Sequence, residues 1–155
     1  MPRHFGFVAF AATQVVIDVE TLYHLVRREW PLHRMLHTYV GASVVGAVVG
    51  VAAFAVGELL IKWWRRGEPV QPEPEMAKTR LIRRNAALLG GMIGGISHVL
   101  LDSIMHQDIQ PLWPFTKANE MLGAVSLASL HRGCVIAGLV GLAIMFVNRI
   151  PRAGK

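Results

Sequence analysis

The sequence is poor in cysteine and in charged residues. Cys134 is the only cysteine among 155 residues, so a scaffold of intramolecular disulfides is excluded. Charged residues make up 17% of the chain and hydrophobic residues 53%, and the mean hydropathy is +0.42. A chain with this much apolar surface is not intrinsically disordered. The composition instead predicts a protein embedded in a membrane.

The scarcity of charge leaves four apolar segments, each long enough to cross a hydrocarbon core of about 30 Å. We expect an all-α fold, an integral membrane four-helix bundle that forms a single transmembrane domain over residues 1–155. The first segment begins like a signal peptide, but its apolar run continues to Val16 and two acidic residues follow, so a retained helix is expected. The predicted helices lie at about residues 5–26, 38–63, 80–106 and 121–148.

The basic residues indicate how these helices cross the membrane. Of the sixteen Lys and Arg residues, eleven lie near the two termini or in and beside the connection at residues 64–79. Cytoplasmic segments carry such an excess, so both termini are expected inside (N-in/C-in) and the connections at 27–37 and 107–120 outside. We therefore expect a multi-pass protein of the bacterial inner membrane, with membrane lipid as a partner. Basic residues at helix ends do not form a nucleic-acid-binding stripe, so no nucleic-acid partner is expected.

Small residues recur at every fourth position in three of the predicted helices. This spacing lets transmembrane helices approach closely. Tight packing within one bundle is the favoured explanation, and homodimerisation is the alternative. The positions are Gly46 and Gly50, Gly90 and Gly94, Gly91 and Gly95, and Gly133, Ala137 and Gly141.

Ionisable residues in the apolar segments and in the outer connection before the second helix collect at one predicted depth, close to the outer face. An ionisable group at membrane depth is costly, so by default it indicates a functional site. The residues concerned are Asp18, Glu20, His24, His33, His37, His98, Asp102, His106 and His131.

The spacing of these residues favours a metal site. His98, Asp102 and His106 are four residues apart and therefore share one helix face. Imidazole and carboxylate are ligands that Zn²⁺ accepts, and a catalytic zinc keeps one position open for water. Hydrogen bonding inside the bundle explains the first two residues equally well, but the other His and acidic residues at the same depth favour a divalent metal, Zn²⁺ first. We expect it to be held by His37, His98, Asp102 and Asp18.

Asp18 and Glu20 are expected to differ in role. Two residues apart on a helix, their side chains point about 200° from each other. Both reach one metal only if the helix loosens or if two metals are bound. Asp18 is the better candidate ligand, whereas Glu20 is a second ligand, a bridging carboxylate or a general base.

Three segments resemble, in order, the signatures of the inner-membrane metal-dependent hydrolases, a family also described as LexA-binding. VVIDVETLYHL resembles P-D-x-D-H, PLHRMLHTYVG resembles H-R-x-x-T-H-S, and GISHVLLDSIMHQDIQPLWPF resembles S-H-x-x-x-D followed by P-L-x-P-F. The H-x-x-x-D element is also distantly similar to zinc-dependent phospholipase C. The resemblance implies functional roles for Asp18, Glu20, His33, Arg34, His37, His98 and Asp102.

The chain departs from these signatures at five positions, so the resemblance implies a metal site more strongly than a reaction. The substituted positions are Ile17, Glu20, Thr21, Leu36 and His106. We assign catalytic roles to Glu20 and Arg34. Metal coordination is assigned to Asp18, His33, His37, His98 and Asp102, and supporting positions beside the ligands to His106 and His131.

Three functions are consistent with these features. The first is a membrane-embedded hydrolase acting on a lipid or lipid-linked phosphoester, in which Arg34 pairs with phosphate or, equally well, anchors the chain in the headgroup layer. The second is a b-type haem protein with His131 and either His98 or His37 as axial ligands. The third is a catalytically idle accessory or scaffold subunit of a larger membrane complex. Metal identity and number, the substrate and the oligomeric state stay open.

Overall fold

The computed structural model describes residues 2–64, 66 and 73–147. These residues form four α-helices and contain no strand, and all four helices are long and apolar enough to cross a membrane. The prediction of an all-α membrane protein with four spans is therefore confirmed. The helices are α1 (Pro2–Arg27), α2 (Tyr39–Trp64), α3 (Glu73–Met105) and α4 (Leu127–Val147).

The chain divides into two compact units. The first extends to Leu122 and contains α1, α2 and α3, and the second begins at Gly123 and contains α4. Within the second unit, Ser126 caps α4 because its hydroxyl accepts a hydrogen bond from the amide of Ser129 at 3.2 Å. This cap explains why α4 begins at Leu127 rather than near residue 121.

α3 also begins earlier than predicted, at Glu73 rather than near residue 80. Pro74 lies in its first turn, where a missing backbone N–H costs no hydrogen bond. Part of the predicted 64–79 connection is therefore helical. Residues 65, 67–72 and 148–155, including the remainder of the proline-containing connection, lie outside the described residues.

α1 and α3 run parallel in a fixed register. A Cβ atom on Gly90 would overlap the carbonyl group of Gly6, so only glycine permits this approach. An offset of 84 residues recurs along the two helices. The pairs in contact are Gly6 and Gly90, Phe10 and Gly94, and Gln14 and His98. One turn further on, the same offset pairs Asp18 with Asp102.

α2 runs antiparallel to α3 on a second glycine face. Gly91 is one position beyond Gly90, a rotation of about 100°, and therefore faces a different helix. The pairs in contact are Gly50 and Ala87, Gly46 and Gly91, and Ala42 and Gly95. Tight packing at these glycines is confirmed, and its result is that the end of α1, the start of α2 and the end of α3 meet at one end of the unit.

Candidate metal centre

α1 contributes one polar face to this end of the unit. Gln14, Asp18 and Thr21 lie on that face, as the helical spacing predicts, and each side chain approaches a histidine. Glu20 projects from another face, towards the segment that enters α2. The different directions of Asp18 and Glu20 follow from the rotation of about 100° per residue.

His37 is fixed just before α2 begins. The hydroxyl of Thr38 accepts a hydrogen bond from the Gly41 amide at 2.9 Å and so caps the helix. The Tyr39 amide donates to the carbonyl oxygen of Pro111 at 2.8 Å, which ties the start of α2 to the segment after α3. The imidazole of His37 is fully buried between these elements.

Four side chains converge here with ligand atoms within 4.8 Å of one another: those of Asp18, His37, His98 and Asp102. His98 Nε2 lies 3.3 Å from Asp18 Oδ1 and 3.2 Å from Asp102 Oδ2. His37 Nε2 lies 4.0 Å and 3.8 Å from the same two oxygens. These are the four residues that the sequence predicts as a ligand set, and the structure brings them together in a group that could hold a metal ion.

The orientation of His98 is set by Gln14. The Gln14 amide nitrogen donates to the Gly94 carbonyl oxygen at 3.2 Å, so its Oε1 atom faces His98 Nδ1, at 2.7 Å. Nδ1 must therefore carry the proton, which leaves the lone pair of a neutral imidazole on Nε2, towards the two aspartates.

The orientation of His37 is set by Glu20 in the same way. Its Nδ1 lies 3.2 Å from Glu20 Oε2, and a carboxylate only accepts hydrogen bonds, so Nδ1 donates. Nε2 then accepts a hydrogen bond from the Thr21 hydroxyl at 3.3 Å. Histidines that bind a metal through one ring nitrogen usually donate the N–H of the other to such an acceptor.

The Nε2 atom of His98 is buried and has no hydrogen-bond partner among the described residues. Buried polar atoms are rarely left unsatisfied. Here Nε2 faces two carboxylate oxygens that carry lone pairs, an arrangement that calls for positive charge between them, supplied by a bound cation or by a proton on Nε2. A divalent cation fits this donor set of two imidazoles and two carboxylates.

His33 is held by Asp108, a residue that the sequence analysis did not single out. Its Nδ1 lies 2.9 Å from Asp108 Oδ1, while Asp108 Oδ2 accepts from the amides of Leu32 at 2.8 Å and His33 at 3.1 Å. Burial lowers the pKa of His33 below its ordinary value, and the bond to Asp108 offsets this only in part. Burial opposes ionisation of Asp108, but its hydrogen bonds with His33 and Leu32 outweigh it and hold the pKa of Asp108 below its ordinary value. His33 is thus neutral and Asp108 charged near pH 7.

A cavity of about 550 Å³ opens beside these residues. Asp18 is its most accessible carboxylate, with a side chain that is 61% exposed, whereas Asp102 is 15% exposed. The other polar residues that line the cavity are Thr21, His33, His98, His106, Gln107 and Asp108. The cluster is therefore reachable by a small molecule from outside the unit.

Two predicted catalytic residues have different surroundings from those expected. Both oxygens of Glu20 are engaged, because they accept from the amides of Arg34 and Leu36 as well as from His37. Glu20 therefore holds His37 and its loop in this structure, and its role as a general base stays a prediction. The Arg34 guanidinium binds Glu29 Oε2 at 3.2 Å and the Pro31 carbonyl oxygen at 3.0 Å, and Arg34 does not line the large cavity, so its catalytic role stays a prediction.

The two remaining assignments have different outcomes. His106 was expected beside the ligands, and it lies within reach of Asp102 and His33 in a second group that could hold a metal ion. His131 lies on α4 in the second unit, so its supporting role stays a prediction. Gln14 and Asp108 were missed as histidine partners. Their only signals were a polar residue four positions before Asp18 and an acid two positions after His106.

A helical membrane unit with a His and Asp cluster at one end defines this chain as an integral membrane protein with a metal-competent centre. The chain belongs to the family described as domain of unknown function DUF4184, whose profile matches residues 1–154. No curated protein and no solved structure matches it. Its function must therefore be argued from the cluster itself.

Proposed function

We propose that this chain is a membrane-embedded metal-dependent hydrolase whose metal is held by Asp18, His37, His98 and Asp102. The observation that carries the proposal is the convergence of these four side chains, whose ligand atoms lie within 4.8 Å of one another, with Nε2 of both histidines directed at the two aspartates. Four donors of mixed nitrogen and oxygen type favour Zn²⁺, with Mn²⁺ as the next candidate. The resemblance to the inner-membrane metal-dependent hydrolases points to the same chemistry.

A bound divalent cation of this kind lowers the pKa of a coordinated water towards about 7 and stabilises negative charge that develops on the substrate. The chain supplies the positions of the donors. Gln14 and Glu20 hold the rings of His98 and His37 with Nε2 directed into the cluster. The exposed carboxylate of Asp18 lies where the cavity gives access.

We propose a lipid or lipid-linked phosphoester as the substrate class. The cluster lies at the helix ends that we infer, from the distribution of Lys and Arg, to face the outer side of a bacterial inner membrane. At that depth the headgroups of lipids are the nearest phosphoesters. A smaller cavity of about 160 Å³ lies on the same side of the unit and is lined in part by Arg34, Thr38 and Trp113, and an arginine side chain is suited to pair with a phosphate.

Metal analysis of the detergent-purified protein tests the metal site. Wild-type protein is expected to retain at least about one equivalent of zinc or manganese per chain. The double variant His98→Ala with Asp102→Ala is expected to lose this metal. His24→Ala is the matched control, because His24 is a buried histidine of α1 that pairs with Glu29 outside the cluster. The proposal is overturned if wild-type protein is folded and monodisperse but binds no metal when zinc and manganese are supplied.

Turnover is tested separately with phosphodiester lipids in mixed micelles. Hydrolysis that depends on added metal and is absent from the double variant supports the enzyme. Metal binding without turnover on any phosphoester supports an accessory or scaffold subunit instead.

The alternative of a b-type haem protein is disfavoured by the surroundings of the histidines. The Nε2 atoms of His37 and His98 both face Asp18 and Asp102, and carboxylates beside a porphyrin in lipid are costly. A Soret band in the visible spectrum of the purified protein would reverse this preference. A proton on Nε2 of His98 also satisfies the two aspartates, and the metal analysis separates that explanation from a bound cation.

A further inference from the structure

A second group of possible ligands adjoins the first. The ligand atoms of His33, Asp102 and His106 also lie within 4.8 Å of one another. Asp102 is common to both groups. Its Oδ2 atom lies towards His98 and His37, and a carboxylate has a second oxygen with which to bind another cation.

His33 is oriented for coordination. Its Nδ1 donates to Asp108, and the Asp108 carboxylate is itself fixed by two backbone amides, so the free lone pair is on Nε2. The side chains of His33 and Asp108 are only 6% and 5% exposed, which keeps this geometry rigid. The His106 ring lies against the His33 ring, with 4.4 Å between their centroids.

The two groups form one continuous centre. The ring of His33 is 4.6 Å from that of His37, and the ring of His37 is 5.3 Å from that of His98. His33, His98, Asp102 and His106 all line the cavity of about 550 Å³. A ligand in this cavity would therefore meet both groups at once.

Charge balance favours two cations over one. Four carboxylates surround the centre, two as ligands and two as partners of the histidines, and they carry four formal negative charges when ionised. One divalent cation leaves an excess of two negative charges, whereas two cations neutralise it. The four residues are Asp18, Asp102, Glu20 and Asp108.

We propose that Asp102 bridges two divalent metal ions, one in the group already described and a second held by His33 and His106. The inference rests on the proposed function, and it deepens it. In phosphatases and nucleases, two metals about 3.5–4 Å apart stabilise the attacking and leaving oxygens of a phosphoester displacement. A pair of ions at this centre would supply the same chemistry. The second ion takes imidazole and carboxylate donors, so Mn²⁺ and Zn²⁺ are the expected occupants.

The test is a titration of detergent-purified, chelator-stripped protein with Mn²⁺, read by metal analysis and electron paramagnetic resonance. Wild-type protein is expected to bind two equivalents and to give the spectrum of a spin-coupled pair. The double variant His33→Ala with His106→Ala is expected to bind one equivalent and to give an uncoupled spectrum. The matched control, His24→Ala, is expected to bind two equivalents, as wild type does.

A conservative variant guards against a failure to fold. Asp108→Asn keeps an acceptor for the His33 ring but removes the charge, and is expected to weaken the second equivalent about 10-fold or more while leaving the first unchanged. One equivalent in saturated wild-type protein, or a coupled pair that survives in the His33 and His106 double variant, overturns the second site.

The outcomes separate the two proposals. A coupled pair in a protein that hydrolyses no phosphoester leaves the second site standing and refutes the hydrolase. Metal-dependent hydrolysis by a protein that binds a single equivalent supports the hydrolase and refutes the second site.

Discussion

The Oε1 atom of Gln14 lies 2.7 Å from Nδ1 of His98, and this contact joins α1 to α3 across an offset of 84 residues. It continues a register that begins with the packing of Gly6 against Gly90. Helix packing and ring orientation are therefore coupled. The glycines bring the backbones together, and that proximity lets a glutamine side chain set the direction of a histidine lone pair.

Removing this acceptor should weaken metal binding without removing a ligand. We expect Gln14→Leu to reduce affinity for Zn²⁺ about 10- to 100-fold, because the His98 ring loses the acceptor that fixes its tautomer. Competition with a chelating dye measures this. Ser97→Ala is the control, since the Ser97 hydroxyl bonds the Gly94 carbonyl oxygen without entering the cluster. Equal affinities for Gln14→Leu and wild type would refute the role of Gln14.

Glu20 should matter to the metal-free fold as well as to the metal. Glu20→Ala leaves the amides of Arg34 and Leu36 without their side-chain acceptor, at about 1–3 kcal/mol for each donor that stays buried. We expect a lower melting temperature in the presence of chelator, and a smaller loss for Glu20→Gln, which keeps one acceptor oxygen. A general base would lower activity when replaced and leave the metal-free melting temperature unchanged.

Arg34 should be dispensable for the metal. Its guanidinium pairs with Glu29 and the Pro31 carbonyl oxygen, and only its backbone amide meets Glu20, so Arg34→Ala should retain the wild-type metal content. If a substrate phosphate binds the guanidinium, KM should rise while the metal content stays constant. Loss of metal in this variant would contradict this expectation, because it would show that the Arg34 side chain holds the loop beside the metal site in place.

The glycine face of α3 should be intolerant of a single methyl group. A Cβ atom at Gly91 would overlap the backbone carbonyl of Gly46, which cannot move without shifting α2. We expect Gly91→Ala to destabilise the unit by about 1–3 kcal/mol and to reduce metal retention. Gly57→Ala is the matched control, because its Cβ would meet the far end of the Phe5 side chain and not a helix backbone. Thermal melting in detergent compares the two, and similar losses would contradict the role of the backbone contact.

The sequence by itself determined the class of fold and the helix faces on which the candidate ligands lie. Its low charge and long apolar segments require helices, since backbone polar groups in lipid must be satisfied within the segment. The spacing of His98 and Asp102 placed both on one face of α3, and the different directions of Asp18 and Glu20 followed from helical rotation. Periodicity is local, so sequence alone was sufficient for these features.

Only the tertiary structure decided which side chains support the ligands. Asp108 reaches His33 across 75 residues and Gln14 reaches His98 across 84, contacts that depend on loop paths and on the register of α1 and α3. The path of the connection between α1 and α2 likewise turned Glu20 towards the loop before α2 and paired Arg34 with Glu29. Periodicity within one helix carries no information about the register between two helices, because backbone approach at Gly6 and Gly90 sets it.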